Sequence, residues 1–146
     1  MWYQFFGGDE TMGRTALDLV RGAAFHEAGI VIVARYLGLP VTQIEINEDG
    51  SGRAQIGPSA RLPLVDQIAL CVAGIEAQEL FGCETIAASA AIDYLKLIGL
   101  VKGLTEAKSL EFRNAGYLRA LDILKRHRPE VEKLALYLIE HRRVGD

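Results

Sequence analysis

Apolar residues recur every three or four positions through the first quarter of the chain. Leu17, Val20, Ala24, Ala28, Ile32 and Tyr36 would form one stripe of a helix over residues 15–37. Gly38 and Pro40 supply its stop. The period then changes to two. Val41, Ile44 and Ile46 alternate with polar neighbours over residues 41–47, as in a half-buried strand. Residues 48–52 carry turn chemistry, because Asp49-Gly50 tolerates the positive φ of a hairpin. A return strand is expected over residues 53–56, then a loop marked by Gly57, Pro58 and Pro63. The remainder reads as helix. Pro63 suits a first helical turn, and a second helix over residues 64–81 ends at Gly82. A third is expected over residues 88–100 and a fourth over residues 106–128. Pro129 opens a fifth, with Val131, Leu134, Ala135, Leu138 and Ile139 as its buried stripe. The pattern predicts a mainly α (α+β) domain with one small β-hairpin or sheet.

A chain of 146 residues suits one domain with one core. Residues 1–14 would form a flexible, glycine-rich lead. The net charge of -3 is spread along the chain with no basic block, which argues against a nucleic-acid partner. Cys71 and Cys83 form no CxxC pair and read as two buried, reduced thiols of a cytoplasmic protein. Residues 1–6 are apolar but too short for a signal core, and they lack a cationic start. The richest apolar stretches, residues 23–39 and 86–101, are interrupted by ionisable side chains. A spanning helix needs about 20 mostly apolar residues. No membrane span is expected.

The candidate chemistry lies inside the first helix, in His26-Glu27-Ala28-Gly29-Ile30. In the metallopeptidase pattern HExxH, two histidines four apart present both imidazoles from one helical face to one zinc. The glutamate between them takes a proton from the zinc-bound water. Here the position four residues on is Ile30, which has no lone pair to donate. A His-Glu pair alone is a poor signal. A second motif, Gly8-Asp9-Glu10-Thr11-Met12-Gly13-Arg14-Thr15, approaches the phosphate-loop pattern, but Arg14 replaces its lysine and no parallel sheet follows. Asp9 and Glu10 would set negative charge where phosphates must bind. No ATP site is expected.

Longer blocks give the first motif a context. Phe25-His26-Glu27-Ala28-Gly29, the run Val31-Ile32-Val33-Ala34-Arg35 and the strand after it resemble the peptidase domain of the FtsH family of AAA+ zinc metalloproteases. Leu70-Cys71-Val72-Ala73-Gly74-Ile75-Glu76-Ala77-Gln78-Glu79-Leu80-Phe81-Gly82 is similar to that family's AGRxAEEL-FG helix. Ala87-Ala88-Ser89-Ala90-Ala91-Ile92-Asp93-Tyr94 is similar to its GAxxDL segment, and the last two helices resemble its closing pair. The likeness covers residues 22–144 in order. It implies a helical metallopeptidase domain of the FtsH type, standing alone over residues 1–146 without the family's ATPase module. Carried over by position, His26 matches the first zinc ligand, Glu27 the general base and Asp93 the third ligand. Ile30 stands at the second ligand's place, Ile75 at that of an arginine, and Ser89-Ala90 at that of the GA pair.

A catalytic zinc takes three protein ligands and water. His26 and Asp93 supply two, so zinc would bind weakly. Glu79, in a helix that packs near the family's site, is the candidate substitute; nothing in the sequence places His127 or His141 nearby. Three functions stay open. The first is a catalytically impaired pseudo-peptidase that binds a peptide or unfolded protein. The second is an active metalloendopeptidase with a rebuilt zinc site. The third is a structural helical module that forms a homo-oligomer. An open cleft at His26 would favour the first two, and a filled core the third.

Overall fold

A computed structural model describes residues 15–85 and 87–145. The expected lead over residues 1–14 and most of the phosphate-loop-like stretch lie outside them. Five helices and three strands follow in the order α1 (Ala16–Tyr36), β1 (Val41–Ile46), β2 (Gly52–Ile56), α2 (Leu64–Leu80), α3 (Ala87–Val101), α4 (Glu106–Arg126), α5 (Arg128–His141) and β3 (Arg143–Val144). The mainly helical architecture with a small antiparallel sheet is the one expected from the sequence.

A capping box starts α1. The Thr15 hydroxyl accepts from the Asp18 amide at 3.1 Å, and the Asp18 carboxylate accepts from the Thr15 amide at 3.2 Å. The expected single stripe is too narrow for this helix. Leu17 is 63% exposed and Tyr36 42%, whereas Ala23, Phe25, Val31 and Val33 are buried. The reason is that α1 is the central element: α2, α5 and the sheet all pack on it. Small residues permit that enclosure. A Cβ on Gly29 would run into the Ala77 side chain and stand 2.8 Å from the Ala73 carbonyl oxygen, so α1 and α2 cross with their backbones close.

The sheet has the order β2-β1-β3, antiparallel throughout, with Ile44 opposite both Ala54 and Val144. Ile44 and Ile46 face the core under α1. The third strand is absent from the sequence reading because two residues carry no measurable alternation. Arg142, in the left-handed region at φ 67°, ends α5 and turns the chain into β3. The stripe expected on α5 is buried or half-buried throughout. The fourth helix ends at Arg126, two residues before the expected boundary, and His127 is the single joint before α5.

Two apolar clusters result. The larger joins α1, β1, α2, α4 and α5; the smaller joins α2, α3 and α4 through Ile68, Ala69, Val72, Leu97 and Ala120. No described helix is long and apolar enough to cross a membrane.

Candidate functional site

Residues 23, 26, 27 and 30 fall on one side of α1, since three and four residues are close to a helical turn. All four line a cavity of about 280 Å³. Ile92, Asp93 and Lys96 of α3 line it too, as do Gln78 of α2 and Gly52, Arg53 and Ala54 of β2. The structure therefore brings His26, Glu27, Ile30 and Asp93 together, as the sequence reading expected. Glu79 is exposed and does not line the cavity. Ile75 does not line it either, and Ser89 lies in the first turn of α3. The His127 ring packs at a tilt against Tyr36, and the His141 ring against Tyr137.

The His26 ring lies against the backbone of α2. A Cβ on Gly74 would stand 2.5 Å from its Cε1 and Nε2, so only glycine leaves room for the imidazole. One turn on, Gln78 fixes the ring's orientation. Its amide nitrogen donates to the Gly22 carbonyl at 3.1 Å, which turns its Oε1 toward Nδ1 of His26, also at 3.1 Å. An amide oxygen only accepts, so Nδ1 carries the hydrogen. Nε2, on the other side of the ring, lies 3.5 Å from Oδ2 of Asp93. Gln78 is 2% exposed. In the sequence Gln78 stands inside the FtsH-like block of α2, where the resemblance implies no role for it. Its signal was an amide four residues after a mid-helix glycine on an otherwise apolar face. Lys96 and Arg53 were missed altogether, because solvated cations leave no pattern.

The carboxylates are poorly satisfied. Glu27 is 5% exposed, and its Oε2 has no hydrogen-bond partner; Oδ2 of Asp93 has none either. Burial, and then the charge of Asp93, push Glu27 up to about 7, against the pull of Lys96. Burial also raises Asp93, opposed by His26 and Lys96. Behind Asp93, its carbonyl accepts from Cys71 at 3.3 Å. Both cysteines are free and half-buried, and burial pushes the Cys71 thiol up to about 11, which makes it a poor nucleophile.

Two tetrahedral zinc ligands with bonds of about 2.0–2.2 Å stand about 3.3–3.5 Å apart. Nε2 of His26 and Oδ2 of Asp93 have that separation. The third donor is missing, since Ile30 fills its place and Glu79 is elsewhere. Among the described residues no three His, Cys, Asp or Glu side chains are grouped to hold a metal. The residues present do not fit a three-ligand catalytic zinc. Neither a protein-family model nor a curated protein matches this chain.

Proposed function

We propose that this chain is a peptidase-like domain that binds a segment of another polypeptide without cleaving it. The observation that carries this reading is the cavity itself. It joins the His26, Glu27 and Asp93 side chains to the outer strand β2, with Ile30 where a metal ligand would be required. An open cleft at His26 speaks against a filled structural core. In the order β2-β1-β3, no strand among the described residues lies on one side of β2. A strand with a bare side offers main-chain donors and acceptors to an extended peptide. Gly52, Arg53 and Ala54 bring that strand to the cavity wall. The likeness to the FtsH peptidase domain agrees with this use of the cleft, and the loss of a ligand at Ile30 agrees with the loss of hydrolysis.

Fluorescence anisotropy with labelled, unfolded casein tests the reading. Ala54→Trp fills the cleft from its half-buried β2 position and is expected to weaken binding at least tenfold, with circular dichroism showing the parent fold. Casein should stay uncut over the same period. Equal binding by the parent and Ala54→Trp would remove the cleft from the account.

The geometry behind the degenerate motif has its own test. Ile30→His restores the second donor, and zinc affinity should rise by about 100-fold or more, since even the residues around metal ligands are worth about 10–100-fold. Calorimetry of both proteins with zinc measures this. Matching affinities would mean that His26 and Asp93 do not hold the ligand arrangement.

A further inference from the structure

Two buried acceptors in the cavity lack a hydrogen-bond partner, Oε2 of Glu27 and Oδ2 of Asp93. The Glu27 carboxylate is more than nine-tenths buried and belongs to the cavity lining. Its burial without a partner carries a large desolvation cost. Something with donors and positive charge is the natural complement.

A metal ion is a poor candidate. Its ligand atoms must all lie about 2.0–2.2 Å from its centre, and among the described residues no three His, Cys, Asp or Glu side chains are so grouped. A primary ammonium has different requirements. It carries three N–H donors, and its acceptors sit about 2.8 Å from the nitrogen. It therefore needs no third side-chain ligand. The chain's own Lys96 does not fill the place: its side chain is exposed and forms no ion pair with either carboxylate.

What surrounds the acceptors limits the rest of the ligand. Ala23, Ile30 and Ile92 give the cavity apolar walls. A second cavity of about 410 Å³ shares Ile30, Asp93 and Lys96 with the first and continues along Leu70 and Leu100. The first cavity lies near the lower end of the range for small-molecule clefts, about 300–1,000 Å³. It suits one functional group, with an aliphatic body passing into its neighbour.

We propose that the cleft recognises a primary ammonium that carries an aliphatic group, with the nitrogen held between the carboxylates of Glu27 and Asp93. A polypeptide presents that chemistry at an amino terminus whose first side chain is aliphatic, and a free alkylamine presents it alone. This deepens the peptide-binding reading and rests on it for the choice of a polypeptide over a free amine.

The test uses calorimetry at pH 7.5 with three probes. One is a hexapeptide with a free amino terminus and leucine first; the second is its N-acetylated form; the third is 3-methylbutylamine, paired with 3-methylbutanol as its uncharged analogue. The free peptide is expected to bind at least tenfold more tightly than the acetylated one, and the amine at least tenfold more tightly than the alcohol. Glu27→Gln and Asp93→Asn should each abolish both preferences, with circular dichroism showing the parent fold. Equal binding of free and acetylated peptides, together with no preference for amine over alcohol, would overturn the ammonium site and leave the peptide cleft standing. Binding of the amine without either peptide would keep the ammonium site and remove the polypeptide. No binding by any probe would overturn both.

Discussion

Helices α1 and α3 both wall the cavity, yet the fold holds them very differently. α1 is enclosed by α2, α5 and the sheet, and it buries Val20, Ala24, Phe25, Ala28, Val31 and Val33. α3 packs on α2 and lightly on α4. Leu97 is its only fully buried hydrophobic side chain among the described residues, while Ile92, Tyr94, Leu95 and Ile98 are exposed. His26 and Glu27 thus stand on the most firmly held element, and Asp93 on one of the least. The site's acceptors meet only while α3 stays docked. Local opening free energies follow this kind of difference in burial.

Three substitutions probe the contrast. The largest effect is expected from Gly29→Ala, which forces α1 and α2 apart at their closest approach. It should cost about 3 kcal/mol, the upper range for overpacking, read as a lower urea midpoint for the whole domain. Leu97→Ala should cost about 2 kcal/mol, the lower end for a buried leucine, because its surroundings can relax toward solvent. Its signature is local: faster amide exchange in α3 and unchanged protection in α1. Uniform loss of protection in both helices would erase the contrast.

The smallest net effect is expected at Glu27. Its pKa is raised from 4.5 to about 7 in the folded protein, so the folded state binds more protons than the unfolded chain between those values. Stability is full below about pH 4.5 with respect to this group and falls as pH rises through 7. The difference amounts to at most about 3 kcal/mol above pH 7. Glu27→Gln should flatten that slope in melting curves taken from pH 5 to 8. Its net gain at pH 8 should be about 1 kcal/mol, because the amide is still buried without a partner. A slope equal to the parent's would mean that Glu27 is solvated or paired in solution.

The helices were legible because their apolar periods and stops agree: Gly38, Gly82 and Pro129 each fall at or beside an observed boundary. The hairpin was legible from alternation and Asp49-Gly50. The full enclosure of α1 was not, since a stripe taken from one helix cannot say how many neighbours share it. At the site, His26, Glu27 and Asp93 converge as the motif and blocks implied. Glu79 did not follow, because one residue along a helix is a rotation of about 100°. That step separates Gln78, which meets His26, from Glu79, which faces solvent. The role of Gln78 depends on the contact between helices distant in sequence, which no local pattern records.

The short strand β3 has a kinetic consequence. Val144 pairs with Ile44, and Arg143 with Glu45, across about a hundred residues of chain. Contacts so distant in sequence close late, because the entropy of a long loop must first be overcome. The hairpin β1–β2 can form from neighbours within microseconds. Until the residues after α5 arrive, the far side of β1 remains uncovered. During synthesis the hairpin therefore passes through a stage without its third strand, and the left-handed turn at Arg142 is what brings β3 onto β1.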